Sequence, residues 1–235
     1  MATFVDPRCA VSAESPAAGD TVEVVVGAEK RTFHVHETRL RSRSAFFEAA
    51  LSKEWKEGQA RKVELLDDDV RAFEGYTRWL YSGKLAVVKS NGDTDYHLLA
   101  LLYGFGEKII DDEFQKIVID AFVAGSRTNV PDGTGGVTRR FPSKTAVSMI
   151  YEATPKGSPA RRLMVDMYTL KGNSHNDWVG VDHPLKHNHD FLIDLTSELL
   201  TSRIVCKTFV EAHGELSNGM PCSYHKHSNG ETCAE

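Results

Sequence analysis

The feature that most constrains the fold is a change in hydrophobic spacing early in the chain. Valines alternate with other residues in the stretch TVEVVVG, residues 21–27, and the alternation returns at Phe33 and Val35 after a short polar turn. Such alternation is typical of strands with one buried face, so these stretches predict a β-hairpin. Apolar residues then follow helical spacing, which predicts two short helices at residues 37–41 and 44–51. This succession favours an α+β fold.

The middle of the chain adds a short strand and three longer helices. Residues 61–67 predict the strand, and residues 69–81 predict a helix that Asp69 can cap and Gly83 can end. Two further helices, ending near Gly125, have the clearest helical periodicity in the chain. Their predicted apolar positions are Leu98, Leu101, Leu102 and Phe105 in the first, and Phe114, Ile117, Val118, Ala121 and Phe122 in the second. The predicted order is β-β-α-α-β-α-α-α.

The composition changes along the chain predict five segments. These are a disordered tail at 1–19, the domain built from the elements above at 20–126, a Gly/Pro/Thr-rich linker at 127–142, a helical extension at 143–213 and an irregular tail at 214–235. Within the extension, helices are predicted at 143–153, 159–171 and 190–213, with a polar loop at 172–189. Leu192, Leu195 and Leu199 are in phase on one face of the last helix.

Composition limits the classes of partner and compartment. The net charge of -5 gives no electrostatic basis for binding nucleic acid. No apolar run reaches the roughly 20 residues that a membrane helix requires, and the first residues lack the pattern of a secretory signal. Four cysteines in 235 residues do not make a disulfide framework. We therefore expect an intracellular protein of the cytoplasm or nucleus, with no membrane and no nucleic acid as partner.

The residues around His36 raise the question of catalysis, because His34 and His36 lie close in sequence to Ser42 and Ser44. A serine–histidine site needs a third, orienting group and an oxyanion hole, and no Gly-x-Ser-x-Gly turn surrounds either serine. A metal site would need further ligands nearby. The structural interpretation is favoured instead: Ser44 caps a helix, and His36 hydrogen-bonds backbone groups at the strand-to-helix turn. We expect no catalytic residue, no metal ligand and no cofactor, and hence no enzyme.

One alternative concerns zinc in the last segment. Cys222, His225, His227 and Cys233 lie close together in the sequence and are residue types that bind zinc. Their spacing is not that of a standard zinc finger, and a polar tail with few apolar residues is the simpler interpretation. The sequence leaves zinc binding there open.

A longer pattern runs through the elements already described. It reads F-x-V-H-x-x-x-L-x-x-x-S-x-x-F, at Phe33, Val35, His36, Leu40, Ser44 and Phe47. It is preceded by Asp20 and continues through Leu66, Asp67, Asp69, Phe73, Tyr81 and Gly83. Over residues 20–126 this pattern closely resembles the signature of BTB/POZ domains. So many positions in register make a more specific signal than one short motif.

The resemblance implies a small three-stranded sheet with a helical cluster, followed here by a mostly α-helical C-terminal region, as in many fungal proteins with a single BTB domain. BTB domains are protein–protein interaction modules, and many form homodimers. The expected function is therefore an interaction adaptor, with a cullin-type ubiquitin ligase scaffold as candidate partner. The alternative is a self-associating scaffold or transcriptional regulator without a ligase link.

The resemblance also suggests where a cullin would bind. The family's surface corresponds here to Tyr81, Ser82, Gly83 and Lys84, and to exposed positions from Tyr96 to Tyr103. In many BTB dimers a strand ahead of the domain is exchanged between subunits. The segment AVSAESPAAG is a poor strand, which argues against that exchange here.

Overall fold

A three-stranded sheet opens the fold. In the computed structural model, which describes residues 19–52, 60–171 and 188–205, strands β1 (Thr21–Val26) and β2 (Arg31–His36) form an antiparallel hairpin. Strand β3 (Lys62–Leu65) pairs with β1 in parallel, so the strand order is β2-β1-β3. The predicted hairpin is confirmed. The valines at alternate positions of β1 are fully buried, which places the sheet's inner face against the helices.

Helices make up most of the remaining described residues. They are α1 (Glu37–Arg41), α2 (Ala45–Ala50), α3 (Val70–Ser82), α4 (Tyr96–Ile109), α5 (Asp112–Arg127), α6 (Lys144–Ala153), α7 (Pro159–Lys171) and α8 (His189–Val205). Among the residues that the structure describes from β1 to α5, the order of elements is the predicted β-β-α-α-β-α-α-α. No helix among the described residues is long and apolar enough to cross a membrane.

Ser44 has the structural role expected from the sequence. Its Oγ accepts a hydrogen bond from the Phe47 amide at 3.1 Å and so caps α2. The same hydroxyl donates to the Ile109 carbonyl at 2.5 Å, which ties α2 to the end of α4. Ser44 is buried, as are Leu40 and Phe47 on either side of it. Ser44 therefore joins α2 to the end of α4 through its two hydrogen bonds.

Helix α3 begins and ends as predicted. Asp69 accepts a hydrogen bond from the Arg71 amide at the start, and Gly83 adopts the left-handed conformation, with φ of 67°, at the end. Phe73 and Tyr76 on its inner face are fully buried. Both contact other aromatic rings edge-on; the ring centroids of Phe73 and Phe33, for example, are 5.0 Å apart.

Helix α4 is covered on more than one side, which the sequence did not predict. Leu102 and Phe105 are buried as expected, but Leu98 and Leu101 are only partly buried, whereas Leu99 is fully buried. The reason is that α6 packs against α4 in addition to α3 and α5. At this contact a Cβ on Gly104 would lie 2.8 Å from the Ala153 Cβ, so the two helices approach closely. The C-terminal region therefore shares the core of the first domain.

The predicted linker contains a second, two-stranded sheet. Strands β4 (Asn129–Pro131) and β5 (Val137–Arg139) pair in antiparallel fashion. Asp132 Oδ1 accepts hydrogen bonds from the amides of Thr134 at 2.8 Å and Gly136 at 2.9 Å, which closes the turn between them. The Gly-rich composition indicated a turn here but gave no alternation from which the short strands could be predicted.

Helix α8 packs through a residue that the periodicity did not single out. Phe191 is buried, with its ring 5.5 Å from that of Tyr151 and 5.7 Å from that of Tyr168. Leu195 is partly buried against the same core, but Leu192 and Leu199 are exposed. The predictions for residues 1–18, for most of the polar loop (172–187) and for residues 206–235, including the cysteine–histidine group, lie outside the described residues.

Candidate functional site

Tyr81 is an exposed aromatic residue at the end of a buried helix. It lies in the last turn of α3, directly after Trp79 and Leu80, which are buried. Tyr81 itself is 42% exposed. Since α3 contributes its other large apolar side chains to the core, this tyrosine is a surface feature that core packing alone does not require.

Two hydrogen bonds hold Tyr81 in place. Its hydroxyl accepts from the His36 backbone N–H at 3.0 Å and lies 2.6 Å from His36 Nδ1. The Tyr81 hydroxyl can donate to Nδ1 or accept from it, according to the tautomer of the His36 ring. The rings meet edge-on with centroids 5.8 Å apart. His36 thus orients Tyr81 instead of bonding backbone groups at the turn, as the sequence had suggested.

Tyr81 separates two concave surfaces. The first, which we call the β2–α3 groove, has a volume of about 380 Å³ and is lined by Phe33, His34, Val35, Glu74, Thr77, Arg78 and Tyr81. The second, the α1–α3–α5 cleft, has a volume of about 350 Å³ and is lined by Arg39, Arg43, Trp79, Leu80, Tyr81, Gly83, Glu113 and Ile117. Among the described lining residues Tyr81 is common to both, so it forms a ridge between them.

The α1–α3–α5 cleft combines apolar and cationic groups. Arg43 lies over the Trp79 ring at 5.6 Å from its centroid, a cation–π contact, and Arg39 of α1 lines the same cleft. Arg41, between them in sequence, is neutralised by Glu48 and Glu37, at 2.7 Å and 3.0 Å. The sequence analysis did not single out Arg39 and Arg43. Their spacing of four residues was the signal that could have found them.

The residues after Tyr81 shape a turn. Ser82 Oγ donates to the Arg78 carbonyl at 2.7 Å and accepts from the Lys84 amide at 3.2 Å. Gly83 donates its amide to the Trp79 carbonyl at 2.8 Å. Ser82, Gly83 and Lys84 are all exposed beside Tyr81, so the structure brings these four predicted residues together on the surface.

Tyr96 and Tyr103 do not belong to this surface, and their expected exposure is wrong. Tyr96 is 7% exposed, stacks on Phe122 at 5.9 Å and donates its hydroxyl to the Arg140 carbonyl at 2.7 Å. Tyr103 is 1% exposed and lies beside Ser158 and Ala160. Burial raises the pKa of both phenols. Tyr96 is thus covered by α5 and the segment that contains Arg140, whereas Tyr103 is covered by the C-terminal region at Ser158 and Ala160.

Leu66, a position of the pattern that resembles BTB/POZ domains, lies on the surface. It is 37% exposed, whereas Leu65 is buried, because side chains alternate along β3 and the core-facing positions are Val63 and Leu65. Asp67, next in the chain, is exposed as well.

Asp20 is another position of the pattern, and it joins the start of β1 to Arg61 through an ion pair at 2.7 Å.

The described residues show no group of three or more His, Cys, Asp or Glu side chains arranged to hold a metal ion. What they offer is a small sheet covered by helices, with a fixed aromatic ridge between two concave surfaces. An exposed, fixed aromatic side chain beside concave surfaces is typical of a protein-binding module.

Comparison with known families identifies the module. The model of the BTB/POZ domain family matches residues 13–112. The chain therefore carries a BTB/POZ domain, whose sheet and helices are those described above, followed by a helical C-terminal region. None of the curated proteins compared with the chain matches it significantly. BTB/POZ domains mediate protein–protein interactions and dimerisation and are not generally enzymatic, so the domain supports a role in protein–protein interaction.

Proposed function

We propose that the protein is an adaptor whose BTB/POZ domain docks onto a protein scaffold through Tyr81 and the two concave surfaces beside it. The candidate scaffold is the N-terminal domain of a cullin-type ubiquitin ligase, the partner implied by the resemblance at Tyr81, Ser82, Gly83 and Lys84. The observation that carries the proposal is the exposure of an aromatic side chain that is fixed in place by His36.

A fixed aromatic residue is well suited to bind another protein. Tyrosine supplies a large apolar face together with a polar tip, and it is enriched among the residues that dominate interface energies. Because His36 already holds the hydroxyl, binding would cost little additional side-chain entropy at Tyr81. The concave surface on either side gives a partner helix or loop room to surround the ring.

The cationic side chains near Tyr81 indicate which chemical groups a partner surface would present. Arg39, Arg43 and Lys84 lie next to Tyr81, whereas Glu113 is the acidic residue that lines the α1–α3–α5 cleft. A partner surface that presents carboxylates beside an apolar residue would complement this arrangement.

The test is calorimetric titration of the full chain with a cullin N-terminal domain. Replacing Tyr81 with alanine (Tyr81→Ala) removes the ridge, and we expect binding to weaken by about 2 kcal/mol or more, roughly thirtyfold. Leu66→Ala is the matched control, since Leu66 is similarly exposed but lines neither concave surface. Circular dichroism of both variants checks that they fold.

Tyr81→Phe refines the result. This variant keeps the aromatic ring but removes the hydroxyl that His36 holds. It therefore distinguishes the contribution of the ring's contact area from that of its fixed orientation. If the wild-type chain does not bind the cullin domain, or if Leu66→Ala weakens binding as much as Tyr81→Ala, the ligase proposal is wrong. Self-association of the full chain in sedimentation, without cullin binding, would then favour the alternative of a scaffold or transcriptional regulator.

A further inference from the structure

A third concave surface lies where the BTB/POZ domain meets the C-terminal region. It is bounded by the loop between β3 and α3, by α4 and by α6, and its volume is about 390 Å³, within the range of ligand sites. We call it the acidic cleft. It shares no lining residue with either concave surface at Tyr81. A partner in the acidic cleft and a scaffold at Tyr81 would therefore contact different residues.

The floor of the acidic cleft is apolar. It is formed by the buried side chains of Ala72, Ala100 and Phe105, together with Leu101 and Met149, which are only partly buried. The absence of a side chain at Gly104 contributes to its shape, because α4 and α6 come into close contact there. Leu101 and Met149 thus present apolar surface that the protein's own described core does not cover completely.

The rim of the acidic cleft is negatively charged. It carries Asp67, Asp68 and Asp69 on the loop before α3, and Glu152 on α6. Asp68 is paired with Lys108 at 2.6 Å, and Asp69 with Arg71 at 2.8 Å. Asp67 and Glu152 are exposed and have no ion-pair partner among the described residues. Within the part of the chain that the structure describes, the acidic cleft thus has two unpaired carboxylates, on different walls above an apolar floor.

We infer that the acidic cleft binds a basic peptide segment of another protein, one in which arginine or lysine alternates with aliphatic residues. The aliphatic side chains would cover Leu101 and Met149, and the cationic groups would pair with Asp67 and Glu152. Phosphate-bearing ligands are repelled by this rim. The inference goes beyond the scaffold proposed for Tyr81, since it supplies the adaptor with a second, separate binding surface.

The test is a fluorescence anisotropy titration of the full chain with a short fluorescein-labelled peptide of alternating arginine and leucine. We expect saturable binding, with Kd on the order of tens of micromolar. Binding should be lost when glutamate replaces arginine in the peptide, and should weaken when serine replaces leucine, because the second change removes contact with the apolar floor.

Variants of the chain locate the peptide. The double variant Asp67→Lys with Glu152→Lys reverses the two unpaired rim charges, and we expect it to weaken binding by about tenfold or more. The matched control, Asp120→Lys with Asp166→Lys, makes the same change in net charge at two exposed positions outside the acidic cleft. It should leave Kd within about twofold.

The inference is overturned if the wild-type chain shows no saturable binding. It is equally overturned if the control double variant weakens binding as much as the rim variant, since that result indicates attraction to net charge alone. The titration contains no cullin domain and leaves Tyr81 intact. A failure here is therefore separate from a failure of the proposed scaffold interaction.

Discussion

At the scale of single residues, buried polar side chains join elements that are distant in sequence. Asp111 accepts a hydrogen bond from the Phe114 amide at 2.9 Å and so caps α5, and it accepts another from the Tyr76 hydroxyl of α3, also at 2.9 Å. Burial raises the pKa of the Asp111 carboxyl, although both hydrogen bonds oppose the shift. The folded protein therefore holds a proton on Asp111 at a pH where the unfolded chain has lost it.

This shift predicts a pH dependence of stability. A raised pKa in the folded state means that the stability linked to Asp111 is complete below its ordinary pKa of 3.8 and is lost as the pH rises through the raised value. Asp111→Asn cannot ionise, yet it can still accept from the Phe114 amide and donate to the Tyr76 oxygen. We expect the wild type to lose free energy of unfolding relative to this variant as the pH rises. Urea unfolding at a series of pH values measures the difference.

Asp69→Asn serves as a control of opposite sign. The Arg71 guanidinium holds the pKa of Asp69 below its usual range, so the stability linked to Asp69 is present above 3.8 and is lost as the pH falls through the lowered value. The wild type should therefore gain stability relative to Asp69→Asn as the pH rises. Equal pH slopes for Asp111→Asn and the wild type would contradict the prediction for Asp111.

At the scale of elements, α4 organises the fold because helices pack on several of its sides. It contacts α3 and α5 within the BTB/POZ domain and α6 in the C-terminal region. The contact with α6 depends on small residues: a Cβ on Gly104 would come within 2.8 Å of the Ala153 Cβ, closer than such atoms approach in proteins. The Ala153 methyl group cannot rotate away, so the backbone would have to move.

A substitution at Gly104 tests this contact. Gly104→Ala should destabilise the protein by about 1–2 kcal/mol, because the cost of overpacking exceeds the gain of up to about 1 kcal/mol in helix propensity. Adding Ala153→Gly removes the opposing methyl group and should restore most of the loss. Urea denaturation of both single variants and the double variant gives the coupling between the two positions. A destabilised Gly104→Ala that Ala153→Gly fails to rescue would argue against this packing.

At the scale of the whole molecule, the BTB/POZ domain and the C-terminal helices share one hydrophobic core. Buried residues of α6 and α7, such as Ile150 and Met164, belong to the same cluster as Phe73 and Phe105 of the first domain. Tyr103 of α4 lies beside Ser158 and Ala160. The boundary near residue 142 that composition suggests is therefore not a boundary in the core.

Truncation tests that continuity. A chain ending at residue 142 would expose the face of α4 around Tyr103 and Gly104, and we expect its free energy of unfolding to fall by about 3 kcal/mol or more. Increased binding of a hydrophobic dye would report the exposed surface. Supplying residues 143–235 as a separate chain should reverse part of the loss. Equal stability of the truncated and full chains would show that the two regions fold independently.

Much of the fold could be predicted from the sequence, because the signals involved are local. Alternation along β1 and β2, helical spacing in α3 and α5, and the caps at Ser44, Asp69 and Gly83 depend on neighbouring residues of the chain and are seen in the structure. The pattern that resembles BTB/POZ domains combines these same local features, and the family match agrees with it.

Only the tertiary structure decided which faces are buried and which remain as surface. Tyr103 lies in the core beside Ser158 and Ala160 of the C-terminal region, and Tyr96 lies against Phe122 of α5. Leu99 is more buried than Leu101. The parallel pairing of β3 with β1, the orientation of Tyr81 by His36, and the acidic cleft likewise join residues far apart in sequence. Periodicity shows that a helix has an apolar face, but burial depends on what packs against that face, which spacing along the chain does not determine.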